Sequence, residues 1–157
     1  MSITLHLGVS DIPYTNSKGA KTTGDVAEIL ESKYGVMQAF VNLHGNDIAK
    51  AIEGSVVGAF ESAMMGAPPR NDIYGTGTSE IEEMFRRFLS GREMDGLGIA
   101  GVPTAAALAG KSARFKSGYV KKIRLRIPEL GAVTIQPSRP SFIDTGLYEG
   151  SMKAWVD

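Results

Sequence analysis

The sequence predicts an α+β protein, in which a long amphipathic helix and shorter helices pack on a small antiparallel β-sheet. Three observations lead to this fold class. Apolar residues recur at helical spacing in some segments, they alternate with polar residues in others, and the two kinds of segment do not follow the regular strand–helix–strand order of a parallel sheet. The chain of 157 residues is the size of one domain, and its 43% of hydrophobic residues can supply a core. We therefore expect a single domain over residues 1–157.

The N-terminal part is predicted to hold a strand, an arm and a helix. Residues 2–9 alternate between apolar and polar positions, which indicates a strand. Residues 10–24 are polar and contain proline and glycine, so we expect a flexible arm there. In residues 25–34 the apolar positions return at helical spacing, and Asp25 and Glu28 lie in the first turn, where acidic groups stabilise the helix dipole.

The strongest helical pattern covers residues 47–65. Apolar and small residues repeat there at steps of three and four. Gly45 interrupts the pattern before this segment, and Asn46 is a suitable N-cap. Gly66 and the two prolines that follow Ala67 end it. We expect this segment to be the long amphipathic helix of the fold.

A further amphipathic helix is predicted over residues 80–89. Ser79 and Glu82 have the spacing of a capping box at its start. Residues 91–122 are rich in glycine, so we expect a loop-rich insertion, with a short helix over residues 104–108.

The C-terminal part is predicted to be mainly β-structure. Residues 122–127 alternate between apolar and basic side chains, residues 128–131 have the composition of a turn, and residues 132–136 follow as a partner strand. This pattern indicates a β-hairpin. Residues 147–157 favour a helical turn followed by a strand.

Charge is distributed unevenly, although the net charge is zero. Residues 1–110 carry 13 acidic and 8 basic side chains, whereas residues 111–157 carry 4 acidic and 9 basic ones. One run in the second part is basic and contains no acid; its members are Lys111, Arg114, Lys116, Lys121, Lys122, Arg124 and Arg126. Such a run is compatible with contact to an acidic protein surface, with binding of nucleic-acid phosphates, or with a solvated sheet face.

Two glycine-rich stretches resemble nucleotide-binding motifs only in part. Residues 96–101 match GxGxxG, but no core strand precedes them and a proline interrupts the helix that should follow, so we interpret them as a loop. Residues 110–112 resemble the end of a phosphate loop, but position 105 is alanine where that motif needs glycine. We interpret Gly110 instead as the cap of a helix. No cofactor is expected.

No combination of side chains indicates catalysis or metal binding. The chain has no cysteine and two histidines, which excludes thiol nucleophiles and cysteine-based metal sites. His44 is interpreted as a cap or surface residue near a helix start. Three carboxylates are interpreted as first-turn acids, and three hydroxyl residues have no histidine nearby in the sequence; these are Glu80, Glu82 and Glu83, and Ser141, Thr145 and Ser151. We expect a protein that is not an enzyme.

Neither a signal peptide nor a membrane-spanning segment is indicated. The N-terminus lacks a basic start followed by an apolar stretch, and no window approaches 18 uninterrupted apolar residues. No contact with a membrane is therefore expected.

The run Arg139–Tyr148, followed by Ser151, resembles an "hhDTGxLxxS" ending in which h is apolar. This ending occurs in the neck, tail-completion (head–tail joining) and virion-morphogenesis proteins of tailed bacteriophages. The long helix closed by Gly66 and two prolines is similar to a second feature of those families. In physical terms, Asp144, Thr145 and Gly146 can form a structural turn, because Asp and Thr side chains bond to nearby backbone and glycine accepts a positive φ.

The resemblance implies a structural virion protein at the head–tail junction, such as a neck, tail-completion or tail-terminator ring. Its partners would be copies of itself in a ring of six or twelve, other neck, connector and tail proteins, and passing DNA. It would be located in the virion, and in the host cytoplasm during assembly. The unequal charge of the two parts suits head-to-tail contacts between copies. The alternative is a nucleic-acid-binding module that uses the basic face of residues 111–126.

Overall fold

The computed structural model describes residues 3–15, 20–110, 123–127, 131–135, 138–143 and 146–157. In chain order the elements are β1 (Leu5–Val9), α1 (Thr23–Tyr34), α2 (Val36–Met64), α3 (Gly75–Ser90), a 3₁₀ turn (Glu93–Gly96), α4 (Ala105–Leu108), β2 (Ile123–Ile127), β3 (Gly131–Ile135), α5 (Leu147–Ser151) and β4 (Met152–Val156). Helices pack beside small antiparallel sheets, which confirms the α+β class.

Helix α2 is longer than predicted, because the chain breaks at Gly35 and not at Gly45. Gly35 adopts the left-handed conformation (φ 58°), and its N–H donates to the carbonyl of Glu31. The Glu31 carboxylate then accepts hydrogen bonds from the first free amides of α2, with Met37 N at 2.7 Å and Gln38 N at 3.2 Å. The predicted N-cap at Asn46 and helix start at residue 47 are therefore wrong, and α2 runs through Gly45 over 29 residues.

The capping box predicted for α3 is not formed. The helix begins at Gly75, so Ser79 lies inside it, and no side chain caps its first residue. The Glu82 carboxylate instead accepts hydrogen bonds from Lys153 Nζ (3.1 Å) and from the backbone N–H of Ala154 (3.4 Å). Glu82 therefore holds β4 against α3, and its predicted role as the capping-box partner of Ser79 is wrong.

A capping box is found at α1, where the sequence predicted only a helix. The Thr22 hydroxyl accepts from Asp25 N, and the Asp25 carboxylate accepts from Thr22 N. The neighbouring Thr23 is fully buried; its hydroxyl donates to the carbonyl of Ser10 and accepts from Ile12 N. The described ends of the segment 10–24 are thus tied to β1 and α1, while residues 16–19 of the predicted arm lie outside the described residues.

The strands in the described part of the chain form two separate antiparallel pairs. In the first, β1 pairs with β4, with Leu5 opposite Val156. In the second, β2 pairs with β3, with Leu125 opposite Val133, which confirms the predicted hairpin. Residues 128–130 of its predicted turn lie outside the described residues.

The core lies between α2, α3 and β4. Phe40 of α2 and Phe85 and Phe88 of α3 are fully buried and contact one another, and Tyr148 of α5 meets Phe85 edge-on. Other buried apolar side chains from α2, α3, the 3₁₀ turn and β4 join this aromatic cluster; these are Val36, Ile48, Ile81, Leu89, Met94 and Met152. The burial of these side chains supplies the main driving force for folding.

The described part of the predicted loop-rich insertion 91–122 contains two short turns of helix. Its GxGxxG stretch covers the end of the 3₁₀ turn and the turns after it, which fits the interpretation as a loop. Helix α4 begins after Thr104, whose hydroxyl accepts from Ala107 N, and Gly110 follows it at φ 60°. Residues 111–122 lie outside the described residues.

Candidate interaction surface

The structure describes only part of the basic run. Five of its members lie outside the described residues: Lys111, Arg114, Lys116, Lys121 and Lys122. Arg124 and Arg126 belong to β2, where they are two residues apart and stand opposite Thr134 and Ala132 of β3. Positions two apart share one face of a strand, so the backbone is consistent with the predicted pairing of these two residues on a face.

The predicted structural turn is described at one of its three residues. Asp144 and Thr145 lie outside the described residues. Gly146 has φ 76° and ψ −5°, a left-handed conformation that glycine adopts without strain, and α5 begins directly after it. The expectation of a positive φ at this glycine is confirmed.

Side chains just before this turn are buried and hydrogen-bonded. The Arg139 guanidinium donates from Nη1 to the carbonyl of Ile143 at 2.6 Å. The Ser141 hydroxyl donates to Asp95 Oδ1 at 2.7 Å and accepts from Thr104 N at 3.3 Å. Both side chains are less than 10% exposed. Sequence reasoning missed Asp95 as a partner because 46 residues separate it from Ser141.

Phe142, between these residues, has φ 67°, which is rare for a residue with a side chain. Its ring lies 5.0 Å from the ring of Tyr34 at the end of α1. Because its neighbours Ser141 and Ile143 are buried, the surrounding contacts hold the backbone in this conformation. We refer to residues 139–143 together with Gly146 as the corner.

His44 is not a helix cap, because α2 begins eight residues earlier, and its side chain is partly buried, with 20% exposed. It lies within α2, where its ring contacts Phe40 and Phe88 and its Nε2 lies 2.8 Å from Glu93 Oε2. A cavity of about 430 Å³ beside it is lined by opposite charges from α2 and α3, including Asp47 and Arg87. The described residues hold no group of three or more histidines and carboxylates able to bind a metal ion.

The second half of α2 exposes apolar side chains. The predicted apolar stripe is buried at Ile48, Ala51 and Ser55, whereas its continuation is exposed. The exposed part of the stripe and the neighbouring Val57 together form what we call the α2 apolar face; its members are Val56 (37% exposed), Val57 (48%), Phe60 (67%) and Met64 (76%). The stripe divides here because α3 begins opposite Ala51, so no part of α3 lies over the later turns of α2.

A groove of about 550 Å³ connects the α2 apolar face with β1. Its walls are mostly apolar and come from α2 and from the ends of the sheet strands; they are Ile3, Leu5, Gly45, Ile48, Ala49, Ile52, Glu53, Val56, Val57 and Val156. The groove thus continues the exposed apolar surface of α2 to the first sheet. Periodicity predicted the stripe but not its division into buried and exposed halves.

Comparison with protein-family models, with curated proteins and with solved structures finds no match to this chain. Among the described residues, no helix combines the length and the apolar character needed to cross a membrane.

Proposed function

We propose that this chain is a structural virion protein of a tailed bacteriophage, a neck, tail-completion or tail-terminator protein that joins the head connector to the tail. The observation that carries this proposal is how the run Arg139–Tyr148 is used. Its Arg139 and Ser141 side chains are buried and hydrogen-bonded within the fold, and Gly146 turns the chain into α5 and β4. A motif whose polar groups are occupied in this way serves to hold a corner of the structure, not to perform chemistry.

The exposed surface supports the same proposal. The α2 apolar face and the groove beside it are suited to contact with another subunit. The acidic part of the chain and its basic part offer complementary charges for head-to-tail contacts, and such contacts close into a ring when the rotation between copies permits. Copies of the chain, other neck, connector and tail proteins, and DNA that passes through the ring are the partners of this role.

The experiment combines light scattering with negative-stain electron microscopy of the purified chain. We expect closed rings of several copies with a central opening. DNA binding is measured in parallel at about 50 and 200 mM salt, because a protein that contacts several phosphates loses affinity steeply over this range. A monomer that binds DNA tightly, with a strong dependence on salt, would overturn the neck proposal in favour of a nucleic-acid-binding module.

A further inference from the structure

We propose that the groove between β1 and α2 is a docking site for the β2–β3 hairpin of a second copy of this chain. The hairpin adds to the open edge of β1 and lays its apolar positions over the α2 apolar face. This proposal deepens the proposed ring and rests on it for the closed geometry, but the contact itself requires only self-association.

The first observation is that β1 has an open edge. Thr4 and Asp157 exchange both backbone hydrogen bonds, and Ser10 N donates to Ser151 O. In an antiparallel pair, residues alternate between bonding to the partner and facing away from it. The N–H and C=O groups of Leu5, Leu7 and Val9 therefore face the other edge of β1, where the structure gives them no partner among the residues it describes.

The other edge of this sheet is protected. Ala154 of β4 faces it, and its N–H donates to the Glu82 carboxylate of α3. An unpaired strand edge next to an apolar groove is a template for a further strand, whose backbone supplies hydrogen bonds while alternate side chains enter the groove. Both strands reach the groove, β1 through Leu5 and β4 through Val156. The two edges differ because a group on the β4 edge, the N–H of Ala154, is already bonded to α3.

The second observation concerns the hairpin. Its register places Ile123 opposite Ile135 and Leu125 opposite Val133, so these four apolar positions share one face. A two-stranded hairpin is marginally stable by itself, and a third strand or a packed helix is needed to stabilise it. Among the described residues the two sheets have two strands each, and joining them would meet this need on both sides.

The third observation is that the hairpin belongs to an excursion of the chain with a closed base. Arg139 N donates to the carbonyl of Ala107 at 2.9 Å, so the backbone leaves and returns at one place. A segment whose two ends meet in this way can reach a neighbouring copy, as in exchange of an element between protomers.

Charge favours this occupant. Glu53 in the groove wall and Glu61 farther along α2 are exposed and make no ion pair among the described residues. The run from position 111 to 127 contains seven basic side chains and no acid. Opposite charges on the two surfaces accelerate their encounter and disfavour contact between two grooves.

Because the chain has no cysteine, single introduced thiols can report the contact. One preparation carries Val57→Cys, at the groove, and another carries Leu125→Cys, on the hairpin. The two are mixed and oxidised, and we expect about tenfold more disulfide-linked dimer than from a control pair of Leu125→Cys with Ser90→Cys, since docking raises the local thiol concentration. Ser90 is exposed at the end of α3.

Three results would overturn the proposal. The first is equal cross-linking in the test and control pairs. The second is an intramolecular disulfide at high dilution in a chain that carries both Val57→Cys and Leu125→Cys, which would place the hairpin in the groove of its own chain. The third is a dimer formed as readily by Val57→Cys alone, which would indicate contact between two α2 helices.

A surface variant completes the test. Phe60→Lys in the Val57→Cys preparation should reduce cross-linking to the control level, because it places a positive charge, which repels the basic hairpin, on the α2 apolar face. Phe60 is 67% exposed, so an unchanged melting temperature verifies that the variant folds. If the chain forms rings but the test pair gives no more cross-link than the control pair, the hairpin contact is overturned and the neck proposal stands. If the test pair cross-links but the chain forms no rings, the hairpin contact stands and the neck proposal is overturned.

Discussion

Gly77 of α3 lies directly against the backbone of Ala51 in α2. A Cβ atom at position 77 would stand 2.5 Å from the Ala51 carbonyl oxygen and 3.1 Å from the Cα atom of Ile52. Both obstacles are backbone atoms inside a helix, which cannot move aside as a side chain can. The absence of a side chain at Gly77 therefore permits the close approach of the two helices that enclose the aromatic cluster.

We expect Gly77→Ala to lower the free energy of unfolding by about 1–3 kcal/mol, the usual cost of overpacking. The gain in helix propensity from alanine opposes this loss but is smaller. The measurement is urea denaturation followed by circular dichroism. Gly54→Ala is the matched control, since Gly54 is in α2 with nothing within 4 Å of its added Cβ. It should raise stability by about 0.5–1 kcal/mol, and a loss in both variants would contradict the steric explanation.

Ser141→Ala tests the corner. It removes the hydroxyl that bridges Asp95 and the backbone N–H of Thr104, and leaves both of those groups unpaired. We expect a loss of about 1–3 kcal/mol, the cost of unsatisfied polar groups in a partly buried site. Ser138→Ala is the control, because that hydroxyl meets Arg92 at an exposed position. Its effect should stay within about 0.5 kcal/mol; equal effects would show that the corner depends on other contacts.

Glu93→Ala tests the contact between α2 and the 3₁₀ turn. It deletes the 2.8 Å contact with His44, whose ring is held by Phe40 and Phe88. We expect a loss of about 1 kcal/mol in thermal unfolding at neutral pH, the net value of one hydrogen bond. Asp47→Asn is the control: its carboxylate stands 3.9 Å from the other ring nitrogen and is exposed, so its removal should change little. A larger effect at Asp47 than at Glu93 would refute this assignment.

Tyr148→Phe tests the pH dependence of stability. Burial raises the pKa of the Tyr148 phenol, with smaller contributions from Glu31 and Tyr14. The phenol therefore stays protonated in the folded chain at pH values where the unfolded chain loses its proton, above the ordinary value of 10.0. The folded state then binds more protons, so the free energy of unfolding falls as pH rises, by at most about 1.4 kcal/mol per pH unit.

We expect Tyr148→Phe to retain the stability of the parent chain at pH 7 and to lose less stability between pH 9 and 11. Urea titrations across this range measure it. Tyr74→Phe, in the loop before α3, controls for the loss of a tyrosine elsewhere and should follow the parent chain. If the free energy of unfolding falls equally with pH in the parent chain and in Tyr148→Phe, burial of this phenol does not determine the loss of stability between pH 9 and 11.

Sequence reasoning succeeded where local interactions determine the structure. The hairpin of β2 and β3, helix α1, the short α4 after Thr104 and the final turn and strand all follow from patterns within about a dozen residues. The positive φ of Gly146 is of the same kind, because turn chemistry is local.

It failed where a distant partner decides the role of a residue. Gly45 and Gly35 are alike in sequence, but the Glu31 carboxylate and the left-handed backbone place the break at Gly35. Glu82 has capping-box spacing with Ser79, yet its carboxylate binds β4 from 71 residues away. The division of the α2 stripe into buried and exposed halves depends on where α3 crosses it. The spacing of apolar residues within α2 cannot predict that position.

The pairing of β1 with β4 sets an order for folding. The β1 strand is synthesised before helices α1 to α3, and β4, which bonds to its inner edge, is synthesised after them. Until then β1 lacks its partner strand, and closing so long a loop slows the step that forms this sheet. The helices α2 and α3 can pack earlier around the phenylalanines, so we expect completion of the first sheet to be the late step of folding. Until β4 is synthesised, the nascent chain would expose β1 to aggregation or to chaperone binding.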